Sequence, residues 1–164
     1  MKQPKKDISL TATDQLIIAV GFVGLAALIG IPAYYYSALP DSIPRHFDAS
    51  GTPDAYSGKG VIWALPIIGS LLFIGMHWLS YHPHTFNYVV PITEENAEEQ
   101  YTIAVRMIRT LNTVIVCLFA YIAYATVQVA LERQQGLGSY FLTVFLLLVF
   151  GTIAYFVWRS AKAA

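Results

Sequence analysis

One long polar stretch separates the first two apolar runs of the chain: Leu39-Pro-Asp-Ser-Ile-Pro-Arg-His-Phe-Asp-Ala-Ser-Gly-Thr-Pro-Asp-Ala-Tyr-Ser-Gly-Lys59. Its three prolines and two glycines disfavour a regular helix. Three aspartates, one histidine, one arginine and one lysine provide both signs of charge and a titratable imidazole. This composition predicts a folded loop of fixed shape. The rest of the sequence predicts the membrane-embedded part that carries the loop.

The composition is that of a membrane protein. Hydrophobic residues form 56% of the 164-residue chain and charged residues 12%, whereas soluble domains have about 45–50% and about 25%. Four apolar runs of about 20 residues would place roughly half of the chain in the lipid bilayer, its first expected partner. The net charge is zero. Lysines and arginines stand at the ends of the apolar runs, so no basic patch favours a nucleic-acid partner.

The apolar runs predict an all-α membrane protein, with four transmembrane helices forming one bundle and an ordered extracytoplasmic loop between helices 1 and 2. The single integral membrane domain comprises residues 1–164, with spans at about 15–39, 61–81, 110–131 and 137–158, an outer loop at 40–60, and a cytoplasmic loop with an amphipathic helix start at 82–109. The first run is longer than the apolar part of a signal peptide, which has about 7–15 residues. We therefore expect it to be retained as a span.

Two signals mark the ends of helices in the second half of the chain. Thr93 is predicted to be the N-cap of a helix beginning near residue 94, because Glu94 and Glu95 would follow in the first turn, where the helix dipole favours carboxylates. The polar first part of this helix, to about Arg109, would lie in or above the headgroup region. Gly136, in the turn after the third span, is predicted to terminate that helix.

The distribution of positive charge predicts the orientation. Seven lysines and arginines fall on the side of the termini: Lys2, Lys5, Lys6, Arg106, Arg109, Arg159 and Lys162. Three fall on the other side: Arg45, Lys59 and Arg133. Because positive residues accumulate in cytoplasmic segments, we expect both termini to be cytoplasmic and the 40–60 loop to be extracytoplasmic.

The loop pattern LPDxIPxHFDxxGxxDxYxxK resembles that of a family of bacterial membrane proteins, a domain of unknown function that also forms the N-terminal part of SdpI-type immunity proteins. The resemblance covers roughly residues 25–75. A second stretch, Phe86-Asn-Tyr-Val-Val-Pro-Ile-Thr-Glu-Glu-Asn96 followed by Tyr101, resembles the sequence after the second span in shorter members. The resemblance implies a multi-pass protein of the bacterial cytoplasmic (inner) membrane. Since the long multi-span domain of SdpI proteins does not follow the loop here, it implies this architecture more directly than an immunity role.

Two groups of residues are candidates for a functional site. The ligand-binding or loop-organising group comprises Asp41, Pro44, His46, Phe47, Asp48, Gly51, Asp54, Tyr56 and Lys59. The cytoplasmic motif comprises Asn87, Tyr88, Thr93, Glu95, Asn96 and Tyr101. No catalytic residue is predicted, because the loop has no GxSxG nucleophile elbow and the histidines near the cytoplasmic motif form no HExxH helix.

The loop residues have two interpretations. In the first, four of them converge on a divalent cation such as zinc or manganese, which imidazole and carboxylate ligands suit: Asp41, His46, Asp48 and Asp54. In the second, Asp41 and Asp48 cap turns, His46 bonds a backbone carbonyl, and Asp54 pairs with a nearby Lys59 or Arg45. The second interpretation predicts a loop that acts as a lid over the helix ends.

These observations favour a small integral membrane protein that acts without catalysis, as a binding, sensing or immunity-type component. Its outer loop would meet a ligand or a membrane protein or peptide partner. One alternative is a metal-dependent membrane enzyme or small-molecule carrier with its site at His46 and the loop aspartates. Another is a structural subunit of a membrane complex. Bound metal would favour the enzyme or carrier, and a stable heteromer after gentle extraction would favour the structural subunit.

Overall fold

The structure is a computed structural model that describes residues 3–6 and 8–163. Its regular elements are α1 (Ala12–Tyr35), β1 (Ser42–Phe47), β2 (Pro53–Gly58), α2 (Ala64–Leu79), α3 (Ala97–Ala130) and α4 (Phe141–Lys162). Short 3-10 turns at Tyr36–Ala38 and Lys59–Trp63 extend α1 and lead into α2. With these extensions, four helices are long and apolar enough to cross a membrane. The chain thus has the helices of a multi-pass membrane protein.

Helix α3 is the central element. It contacts α1, α2 and α4, whereas α4 packs mainly against α3 and leaves its apolar side chains exposed. The contact between α1 and α3 is close at Gly24, where an added Cβ would lie 2.9 Å from the Cys117 sulfur. At 1.5 Å per residue, the 34 residues of α3 extend for about 50 Å, beyond the ~30 Å of a hydrocarbon core. The predicted third span, 110–131, is therefore the second part of a longer continuous helix.

Two buried apolar clusters hold these elements together. The first lies where α1, α2 and α3 meet and contains Leu28, Phe73, Val116, Ala120 and Ala123. The second fastens the loop to α3 and contains Leu39, Ile43, Ile62 and Val127. Because Ile43 lies in β1 and is fully buried, the second cluster fixes the loop on the end of the bundle.

The loop is a β-hairpin, so the all-α prediction is wrong for this segment. Strands β1 and β2 pair antiparallel, with Ser42 opposite Gly58 and Phe47 opposite Pro53. The register shifts on either side of His46. Prolines that exclude a helix are tolerated here because each strand of a two-stranded sheet has one unpaired side, and a proline whose nitrogen faces that side loses no ladder bond. The same residues that ruled out a helix therefore permit a hairpin.

Helix α3 begins at Ala97, three residues after the predicted start near 94. Thr93 nevertheless caps the turn that leads into the helix. Its hydroxyl accepts a 3.3 Å bond from the Asn96 amide, and the Asn96 side chain accepts a 2.9 Å bond from the Thr93 amide. This is the reciprocal arrangement of a capping box, with asparagine in the place of glutamate.

The predicted role of Gly136 as a helix terminator is wrong. Helix α3 ends at Ala130, and the left-handed residue that follows is Glu132, with φ +58°. The amide of Arg133 donates to the Gln128 carbonyl at 2.8 Å, and the amide of Glu132 donates to the Val129 carbonyl at 3.0 Å. These two bonds form a Schellman motif, which usually has glycine at the left-handed position.

Candidate functional site

A cavity of about 350 Å³ lies beneath the hairpin. The hairpin contributes Pro44, His46 and Phe47 to its wall, and helices α2, α3 and α4 contribute Leu65, Ile122 and Phe141. Pro44 is buried and Phe47 half-buried, while His46 and its neighbour Arg45 are exposed. The cavity therefore has apolar walls and a polar rim, and three of the predicted loop residues line it.

His46 pairs with Asp54 across the hairpin. The distance between His46 Nδ1 and Asp54 Oδ1 is 2.6 Å, and the two side chains are 66% and 45% exposed. The predicted bond from His46 to a backbone carbonyl is thus replaced by this pair, as is the predicted pairing of Asp54 with lysine or arginine. Since both partners are exposed, water weakens their attraction, and the pair contributes little to stability.

Asp48 closes the hairpin turn as predicted. Its Oδ1 accepts bonds from the Ser50 hydroxyl at 2.6 Å, the Ser50 amide at 2.8 Å and the Thr52 amide at 3.0 Å. The Ser50 hydroxyl bond, followed by the Thr52 amide bond, lowers the pKa of Asp48 below its ordinary value. The carboxylate therefore stays charged through the neutral range and holds the turn closed.

Asp41 and Lys59 hold the two ends of the hairpin together. The Lys59 ammonium lies 3.7 Å from the Asp41 carboxylate and 5.7 Å from the centre of the Tyr36 ring. The Lys59 amide also donates a 3.0 Å bond to the Asp41 carbonyl. Tyr56 stands opposite Pro44 in the ladder and is exposed, so its ring is available at the surface of the hairpin.

Gly51 places the hairpin turn against the α3–α4 connection. It adopts φ +82°, a left-handed conformation that glycine adopts without strain, and its carbonyl accepts a 2.8 Å bond from the Leu137 amide. A Cβ on Gly136 would clash with this carbonyl. The second half of the chain thereby closes one side of the cavity, a contact that the predicted role of Gly136 as a helix terminator did not include.

The four candidate metal ligands are distributed over three contacts. Asp41 contacts Lys59, Asp48 closes the turn, and His46 pairs with Asp54. Within residues 3–6 and 8–163, no group of three or more His, Cys, Asp or Glu side chains is close enough to hold a metal ion. The His46–Asp54 pair offers two donors, whereas a structural zinc site has four and a catalytic one has three from protein.

The second candidate group lies at the opposite end of the bundle and fastens the N-terminal segment to α3. The buried Tyr101 donates a 2.7 Å bond to the Pro4 carbonyl, and Tyr88 donates a 2.9 Å bond to the Pro83 carbonyl. The two tyrosine rings lie 5.5 Å apart, and burial raises the pKa of Tyr88. Asn87 and Glu95 are exposed beside them. Tyr88 and Tyr101 thus have structural roles, as do Thr93 and Asn96 in the cap.

A buried ionic cluster that was not predicted also lies at this end. Asp14 is 3% exposed and accepts bonds from Arg106 at 3.0 and 3.2 Å and from the Thr11 hydroxyl at 2.6 Å. Arg109 approaches it to 3.9 Å. The signal that could have identified Asp14 is the pattern Thr11-Ala-Thr-Asp14 before an apolar run, which is typical of a capping box. Its pairing with a residue 92 positions away had no local signal.

Part of the chain is similar to a known family. Residues 23–69 match the model of a domain of unknown function, DUF1648, and this segment extends from α1 through the hairpin into α2. A curated protein from Archaeoglobus fulgidus, described only as an uncharacterized protein, is 32% identical over 62 residues. The match covers 38% of this chain and 34% of that protein. No solved structure matches the chain. The comparisons agree with the expected membrane family of unknown function, while the link to SdpI-type proteins stays a prediction.

Proposed function

We propose that this chain is a membrane protein that binds the apolar part of an amphiphile in the cavity beneath its hairpin, without catalysis. The observation that carries the proposal is the cavity itself. Its volume of about 350 Å³ lies at the lower end of the range of about 300–1,000 Å³ for ligand pockets. A single acyl chain, or one or two apolar side chains of a peptide, would fit this space.

The chemistry of the wall supports an amphiphile. Leu65, Ile122 and Phe141 would cover apolar ligand surface, and each Å² removed from water contributes about 25 cal/mol. Arg45 and the exposed His46–Asp54 pair stand at the rim, where they would meet a polar headgroup. Apolar walls with a few polar groups at the opening are the usual composition of a small-molecule site.

The position of the cavity supports a role for the loop that resembles the family. Residues 44–47 and 61–65 fall inside the matched segment, whereas Ile122 and Phe141 come from helices outside it. The site would thus combine residues of the matched segment with residues of α3 and α4 that lie outside it. We propose a binding, sensing or protective role on this basis, and the loop pattern supports a relation to SdpI-type proteins.

We further propose that the hairpin faces the extracytoplasmic side of a bacterial cytoplasmic membrane, with both termini cytoplasmic. The support is the excess of lysine and arginine on the side of the termini. The hairpin and the N-terminal segment contact opposite ends of α3, at Val127 and Tyr101 respectively. An amphiphile or peptide would then reach the cavity from outside the cell or from the outer leaflet.

Photolabelling tests the binding site. The full chain in nanodiscs would be irradiated with a diazirine-bearing fatty acid, and labelled peptides identified by mass spectrometry. We expect label on peptides containing Phe47, Leu65 or Ile122, and a several-fold loss in Ile122→Trp, whose larger side chain fills the cavity. Leu147→Trp, at a 68% exposed position on α4, is the control and should not change labelling. Equal labelling of all three proteins would contradict the proposed site.

A further inference from the structure

A second cavity lies at the end of the bundle opposite the hairpin. Its volume is about 170 Å³, several times the roughly 30 Å³ that one water occupies in the liquid. Two cationic side chains, Lys6 and Arg109, line it together with Tyr81 and the apolar Ile8 and Leu10. Among the residues that the structure describes, this lining contains two cationic side chains and no carboxylate.

Arg109 is the unusual member of this lining. Its side chain is 5% exposed, and its Nε atom is buried with no hydrogen-bond partner among the described residues. Its guanidinium carbon lies 5.9 Å from the centre of the Tyr81 ring. A buried charge without hydrogen bonds is costly, and a guanidinium is always protonated in proteins. The Nε atom therefore requires a hydrogen-bond acceptor, which an anion in the cavity would supply.

Asp14 does not meet this requirement. Its Oδ1 lies 3.9 Å from Arg109, an ion-pair distance that is too long for a hydrogen bond. Arg106 donates to both oxygens of the same carboxylate, and Thr11 donates to one of them. Among the described residues, one carboxylate thus faces two guanidinium groups. Lys6 pairs with Glu94 at 3.5 Å, but Glu94 is 74% exposed, so water weakens this pair.

We propose that this cavity binds a phosphate group. The planar guanidinium of Arg109 can donate two parallel bonds to phosphate oxygens, and Lys6 supplies a second charge at the opening. Trp78 and Tyr81 at the end of α2 are both exposed, as expected for aromatic side chains at the level of lipid headgroups. Basic pockets between membrane helices bind phosphorylated headgroups. The phosphate would belong to a lipid headgroup or to a soluble phosphate.

Thermal unfolding in a neutral detergent separates the two sources. The full chain would be titrated with inorganic phosphate in one series and with dihexanoyl phosphatidic acid in another. A ligand that binds only the folded state raises the melting temperature with its concentration. We expect at least one series to raise it. A response to both would assign a soluble phosphate, whereas a response to the lipid alone would assign a headgroup.

Three variants test the residues. Arg109→Gln should weaken phosphate binding at least tenfold. Lys6→Glu should weaken it severalfold, and this substitution leaves the buried cluster of Asp14, Arg106 and Arg109 unchanged. Arg159→Gln removes an exposed arginine on α4 and should leave binding unchanged. In the absence of ligand, Arg109→Gln should melt about as high as the wild type, since Asp14 keeps its two bonds from Arg106. Should Arg109→Gln fail to fold, Lys6→Glu decides.

Two results would overturn the proposal. The first is no melting shift of the wild type with either ligand. The second is an equal shift in the wild type, Lys6→Glu and any folded Arg109→Gln protein. Because these experiments concern the cavity at Arg109 and not the one beneath the hairpin, their outcome is independent of the fatty-acid labelling.

Discussion

The amide of Leu137 donates a 2.8 Å hydrogen bond to the carbonyl of Gly51. This bond joins the hairpin turn to the α3–α4 connection, 86 positions later in the chain. It requires two glycines for different reasons. Gly51 adopts a left-handed φ of +82°, and Gly136 has no space for a Cβ beside the Gly51 carbonyl. The position of the hairpin over the cavity depends on this contact.

Gly136→Ala should therefore lower the free energy of unfolding by about 1–3 kcal/mol, because the added methyl group displaces the hairpin turn or the connection. Gly151→Ala is the matched control, since nothing lies within 4 Å of an added Cβ at that helical position. There alanine should be neutral or stabilise the helix by up to about 1 kcal/mol. Unfolding by SDS titration in mixed micelles measures both changes. Similar effects of the two substitutions would contradict the contact.

The sequence was sufficient where partners are close along the chain. The bonds of Asp48 reach two to four residues ahead, so its capping of the turn followed from its residue type and neighbours. Thr93 and Asn96 are three residues apart, which made a cap at Thr93 foreseeable. The helices followed from the length of the apolar runs, because a bilayer demands about 20 apolar residues for each span.

The sequence was insufficient where partners are far apart. Gly136 meets Gly51, and Asp14 meets Arg106, only because α3 brings distant segments together. The β-hairpin was missed for another reason. The prolines argue against a helix but do not indicate strands. Strands are predicted from an alternation of apolar and polar residues, which β1 and β2 lack. Burial of Ile43 against α3, and not local propensity, stabilises the hairpin.

Glu132 offers a stabilising substitution. It holds the left-handed position of the Schellman motif with φ +58°, a conformation that costs an L-residue with a Cβ roughly 1–2 kcal/mol. Glu132→Gly should therefore raise the free energy of unfolding by about 1 kcal/mol, while Glu132→Ala, which keeps the Cβ, should change it little. The same SDS titration distinguishes them. Stabilisation by alanine equal to that by glycine would indicate an effect of charge and not of backbone strain.

The buried carboxylate of Asp14 should be essential for stability. Asp14→Asn removes the charge that pairs with Arg106, and the loss of one partner from a buried ion pair costs about 3–5 kcal/mol. Since Arg106 is 29% exposed, we expect a loss of about 3 kcal/mol. Asp54→Asn is the control, because its pair with His46 is exposed and contributes at most about 1 kcal/mol. A loss of the same size for both variants would refute the special role of Asp14.

The two interpretations of His46 predict different metal contents for the purified protein. If the His46–Asp54 pair only links the strands, purified wild-type protein and His46→Ala should contain the same low amount of zinc and manganese. The variant should lose no more than about 1 kcal/mol of stability, because both partners are exposed. Elemental analysis of the two proteins, purified without chelator, measures the metal. Stoichiometric metal that is present in wild type and absent from His46→Ala would establish a metal site, with ligands added by a partner or by rearrangement of the hairpin.

Topology can be tested by labelling single cysteines in a Cys117→Ser background. Three exposed positions are suitable for the cysteines: Ser50 in the hairpin turn, Gln135 in the α3–α4 connection and Glu98 at the start of α3. The nearby Gln100 is fully buried, so a reagent would not reach a cysteine there. If both termini are cytoplasmic, as the positive-inside rule predicts, an impermeant maleimide should label Ser50→Cys and Gln135→Cys in intact cells but not Glu98→Cys. Permeabilised cells should label all three, which shows that each thiol is reactive. Labelling of Glu98→Cys alone in intact cells would reverse the orientation and place the hairpin cavity on the cytoplasmic side.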